Sequence, residues 1–77
     1  MINMEEHKTT GWKKNQAAVT RRRKLLESTD KRKTMYNRYM EAGRRIQALA
    51  NITSDDSTKQ KASADAKHFF RMAQKVK

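Results

Sequence analysis

Met35, Tyr39, Ala42, Ile46 and Leu49 recur at intervals of four, three, four and three, the spacing of one helix face that packs along its length. Ala62, Ala66, Phe69, Ala73 and Val76 repeat the pattern after a polar break. Two helices are therefore predicted, over about 31–51 and 55–76. Pairing Leu49 with Ala62, Ile46 with Ala66, Ala42 with Phe69, Tyr39 with Ala73 and Met35 with Val76 gives position sums of 111 or 112, as an antiparallel hairpin requires. In four of those five layers a large side chain faces an alanine, which lets helices approach at ~8–10 Å without voids. Thr29 or Asp30 is the expected N-cap of the first of these helices. Thr53 with Asp56 three residues on resembles a capping box for the second.

Upstream, about 12–26 is rich in helix formers, but Trp12, Ala18, Val19, Leu25 and Leu26 make only a sparse apolar stripe. A shorter basic helix is expected there. A second stripe, Tyr36, Met40, Gly43 and Ala50 with Phe70, flanks the hairpin seam and needs a cover. The first helix could provide it through Trp12, Val19 and Leu26, closing a small three-helix bundle. A second copy of the chain, docking on Tyr36, Met40 and Phe70 as a homo-oligomer, is the other solution. Residues 1–10 lack any period and read as a flexible arm, leaving 11–77 as a single small helical domain of all-α class.

Composition then narrows the setting. With 77 residues, 35% of them apolar and 35% charged, the core must be thin, since a domain this small buries only about 60% of its unfolded surface. Proline is missing and glycine occurs only at Gly11 and Gly43, so β-type turns have little support. Without cysteine there is neither a disulfide framework nor a thiolate metal site, which points to a reducing, intracellular, cytoplasmic setting. No apolar run approaches the ~20 residues of a membrane span, and no membrane partner is expected.

Charge changes the picture most. Nineteen Lys and Arg stand against eight Asp and Glu, a net +11, of which +8 lies between Lys8 and Lys33. Self-repulsion of this size implies a polyanionic partner. Four consecutive cations, Arg21, Arg22, Arg23 and Lys24, point around a full helical turn, so at least one must face the bundle and snorkel outward. Lys13, Lys14, Lys31, Arg32 and Lys33 extend the same sign, and Lys31, Arg38 and Arg45 follow one another by heptads along one edge. These eleven residues form the candidate nucleic-acid-binding strip, gripping DNA or RNA phosphates with little sequence specificity. The alternative is a small interaction module, a regulator, inhibitor or assembly factor, that sets this basic face on an acidic protein.

Chemistry is sought by subtraction. No cysteine nucleophile, phosphate loop or His-Glu-x-x-His spacing is present, so neither catalysis nor a cofactor or metal is expected. Asp65 and His68, three apart, read as a surface contact. The carboxylates read as helical partners, Asp55 with Lys59, Lys61 with Asp65 and Glu41 with Arg45. Trp12 reads as a core anchor before a stacking platform.

Overall fold

The structure is a computed structural model and describes residues 12–77. The expected arm at 1–10 lies outside them. The architecture is all-helical: α1 (Ala18–Glu27), α2 (Met35–Ile52) and α3 (Asp56–Lys75). They form a small three-helix bundle. The helices of α2 and α3 would together run about 57 Å end to end at 1.5 Å per residue. The described residues extend only 33 Å, and three residues join the two helices, so the chain must reverse between them. Tyr39 meets Phe69 with ring centroids 6.3 Å apart.

The seam positions make the core. Ala42, Ile46, Leu49, Ala62, Ala66, Phe69 and Ala73 are all buried, and Tyr39 packs against them half-buried. The outermost expected layer is not part of it: Met35 and Val76 remain 38% and 45% exposed. Both lie at helix ends, Met35 as the first residue of α2 and Val76 as the C-cap of α3.

Local polar chemistry moves the helix starts. Asp30 does not cap α2; its carboxylate accepts from the Arg32 N–H and closes a turn that also bonds Lys33 N–H to the Asp30 carbonyl. Thr29 is drawn the other way, its hydroxyl donating to the Leu26 carbonyl at the end of α1. The cap falls to Thr34, whose Oγ1 accepts from the Asn37 N–H, and α2 starts four residues later than expected. At α3 the cap is Asp55, not Thr53, accepting from both the backbone and the hydroxyl of Thr58. An ionised carboxylate is the stronger acceptor at the positive end of a helix, while Thr53 only supports the turn by accepting from the Asp55 N–H.

The first helix differs more. It begins at Ala18, because Lys13 and Gln16 close a turn, Gln16 Oε1 accepting from Lys13 N–H and Lys13 O from Gln16 N–H. Trp12 therefore enters the core from a loop, only 8% exposed. Leu25 is the buried helical anchor, whereas Val19, expected in the core, is 74% exposed.

The docking side is also the reverse of the expectation. Arg38 and Arg45, which bond the end of α1, lie on the flank of α2 opposite to Tyr36, Met40 and Gly43. On that far flank the close approach at Gly43 is made by Phe70. A Cβ at position 43 would stand 2.6 Å from Phe70 Cε1. Gly43→Ala should lower the melting midpoint, because displacing the ring costs more than the ~1 kcal/mol that alanine gains in helix propensity. In a Phe70→Ala background the same substitution should become stabilising, which a melting series on the four variants measures.

Candidate functional site

Asp65 is the centre of the polar architecture. It lies on α3 beside Phe69, just outside the arc spanned by Ala62, Ala66, Phe69 and Ala73, and is 0% exposed. Its two oxygens accept four hydrogen bonds. Oδ2 receives Trp12 Nε1 at 2.8 Å and Arg21 Nε at 2.9 Å; Oδ1 receives Arg21 Nη2 at 3.0 Å and Arg22 Nε at 2.9 Å. Burial by itself would raise this carboxyl's pKa, but the bonds from Arg21, Trp12 and Arg22 together hold it below the usual carboxylate range. In return the bond to Asp65 raises the pKa of Arg21. The remaining Arg21 donor, Nη1, reaches the Gln16 carbonyl at 3.0 Å, and the guanidinium carbon lies 5.9 Å from the centre of the Trp12 ring.

The candidate strip is thereby divided. Arg21 is buried and does not snorkel; its charge is neutralised within the core. Arg22 shares the same carboxylate. Arg38 donates to the Leu26 carbonyl and Thr29 Oγ1, and Arg45 to the Ser28 carbonyl, so both clamp the end of α1 to α2. Arg45 also pairs with Glu41, as the helical spacing predicted. Lys14 pairs with Asp55, Lys33 with Glu41 and Arg32 with Asp30. The other two predicted helical pairs are replaced: Asp55 turns to Lys14, Asp65 to the arginines, and Lys61 to the Lys14 carbonyl. That contact with Lys14 lowers the pKa of Asp55 strongly, with Thr58 adding to it. Among the described residues, Lys13, Arg23, Lys24, Lys31 and Arg38 are the strip members in no ion pair, and of these Arg38 is engaged by Thr29 and the Leu26 carbonyl.

A groove of about 540 Å³ opens between α1 and α3. Its surface is mainly apolar, from Ala18, Val19 and Leu26 on α1, Tyr39 on α2, and Phe69 and Met72 on α3. Arg22, Arg23 and His68 complete the lining. Partial burial lowers the pKa of His68, and the charges of Arg22, Arg71 and Lys75 lower it further against an opposing effect of Asp65. Two cations, Arg22 and Arg23, thus line the apolar trough beside His68, while Arg71 and Lys75 act on that histidine through their charge. The sequence concealed the groove because Val19 was expected inside, whereas it is 74% exposed.

Among the described residues no cluster of three or more His, Asp or Glu could hold a metal ion. No described helix is long and apolar enough to cross a membrane. Comparison with protein-family models, with curated proteins and with solved structures finds no match.

Proposed function

We propose that the protein is a non-catalytic binder of nucleic acid that grips backbone phosphates. The observation that carries this reading is a net charge of +11 in a chain whose described part has a radius of gyration of only 11.7 Å. Charge at that density is costly to hold together and is relieved when the protein's cations neutralise phosphates and release the counterions condensed on the nucleic acid. The phosphate contacts belong to cations that no internal carboxylate occupies, chiefly Arg23, Lys24 and Lys31, with Lys13 at the edge. Arg21, Arg22, Arg38 and Arg45 serve by holding α1 in place.

This division selects the test. Replacing Arg21, Arg22 and Arg23 together would dismantle the Asp65 site and report folding instead of binding. The triple variant Arg23→Gln, Lys24→Gln, Lys31→Gln leaves every described ion pair intact. Log affinity for duplex should fall linearly with log salt, and the triple variant should flatten that slope by roughly one to three units, at ~0.9 per phosphate. The loss should be the same for unrelated sequences. No binding of duplex, single strand or RNA by the parent at ~50 mM salt, where electrostatic affinity is strong, would rule the reading out.

A further inference from the structure

We infer that the groove between α1 and α3 is a docking site for an acidic amphipathic helix of a partner protein, a surface that shares Arg23 with the proposed phosphate contacts and is otherwise separate from them. Its floor, formed by Leu26, Tyr39, Phe69 and Met72, is apolar, and Val19 stands at its lip with 74% of its surface in solvent. A volume of about 540 Å³ falls within the roughly 300–1,000 Å³ of ligand-binding pockets. No carboxylate lines it. Arg22 and Arg23 stand on the α1 bank, while Arg71 and Lys75 act on His68 from the α3 side. An occupant must therefore combine an apolar ridge with negative charge on its flanks.

Three physical constraints select a helix among such occupants. An extended peptide gains much of its affinity by adding its backbone to a sheet edge, and the described residues contain helices alone. A helix satisfies its own backbone and presents a ridge at i, i+3 and i+7 that fits a trough between two other helices. A nucleobase needs an open aromatic face to stack on, but Phe69 is buried and Tyr39 is packed against it. The nearest carboxylate below the groove, Asp65, is saturated by four hydrogen bonds and does not repel the occupant's charge as a bare buried anion would.

The probe is a synthetic helical peptide with leucine at i, i+3 and i+7 and glutamate on both flanks of that ridge. Titrated into the full chain without nucleic acid, it should shift the methyl resonance of Met72 and leave that of Met40, on the opposite flank, in place. Changing the peptide's leucines to serine should weaken binding by about tenfold or more, the equivalent of losing buried aliphatic contact. Changing its glutamates to glutamine should remove most of the salt dependence. On the protein, Val19→Ser and Arg71→Glu alter exposed residues outside the core, so both should fold, and each should weaken the peptide while Val19→Ser leaves duplex affinity unchanged. The inference is overturned if the serine peptide binds as well as the leucine peptide, which would reduce the interaction to charge alone. It is equally overturned if Met40 responds in place of Met72, or if oleate occupies the groove more tightly than the peptide. None of these outcomes depends on whether the chain binds nucleic acid, because the peptide is titrated in its absence and neither Val19 nor Arg71 is among the proposed phosphate contacts.

Discussion

Asp65→Asn should leave most of the protein unfolded at room temperature. The substitution keeps the shape but removes the charge that neutralises Arg21, a guanidinium only 7% exposed. Breaking a buried pair by removing one partner costs about 3–5 kcal/mol, because the other charge stays in a medium that solvates it poorly. A chain of this size has roughly that much stability in total. Fluorescence of Trp12, the only tryptophan, reports the loss directly, since its indole N–H is bonded to the same carboxylate. Replacing both charges, Arg21→Met with Asp65→Leu, should recover much of the stability, because a well-packed apolar pair is often as stable as a buried ion pair. The indole N–H would remain unpaired at a cost of about 1–3 kcal/mol. Retention of the parent's melting midpoint by Asp65→Asn would show that the carboxylate does not hold α1 to α3.

The same site sets the response to acid. Its folded-state pKa is depressed, so the carboxylate contributes stability above its unfolded value of about 3.9 and loses it as pH falls through the lower folded value. Between neutral pH and about pH 5 stability should vary little from this source; the loss belongs to the range below the ordinary carboxylate pKa.

Phe69→Ala is expected to be comparably damaging for a different reason. The ring is 1% exposed and contacts Tyr39 of α2 in a tilted pair and the edge of His68. Deleting it removes the largest fully buried side chain and leaves a cavity beside Ala42 and Ala66, small residues unable to fill it. The cost should be about 3–5 kcal/mol. Helical circular dichroism during thermal melting measures it, and an unchanged midpoint would remove Phe69 from the core. Phe70→Ala, one residue along on the far flank and half-buried, should cost much less.

These two residues also mark where the sequence was legible. Phe69 belongs to an apolar repeat that only a packed helix explains, and the repeat located the α2 and α3 core to within their terminal layer. Asp65 carries no such label. Beside Lys61 and among many cations, a carboxylate on a helix reads as a surface partner, and only its angular position next to Phe69, at the edge of the apolar arc, signals that it can face inward. Its arginine partners are 44 and 43 residues away, beyond any local rule. The same limit applies to Arg38 and Arg45. A heptad spacing places them on one edge of α2, but whether that edge meets phosphate or the carbonyl groups of α1 depends on where α1 docks. The sparse stripe of α1 offered two sides, and Val19, expected in the core, favoured the wrong one. What decides the side is the buried ion pair of Arg21, a polar term that apolar periodicity does not register.

Asp65 also governs the order in which the molecule can assemble. The turn between α2 and α3 closes over three residues, whereas the bonds to Arg21 and Trp12 close loops of 44 and 53 residues, whose entropy cost is larger. Contacts close in sequence are the faster to form. The two-helix scaffold is thus the early structure, and the carboxylate is a clasp that closes last, drawing in α1 and the loop before it. One bank of the groove, Val19 and Leu26 with Arg22 and Arg23, arrives only with that clasp. Recognition at the groove proposed above is consequently confined to fully assembled molecules: a chain opened at Asp65 lacks one of the groove's two banks.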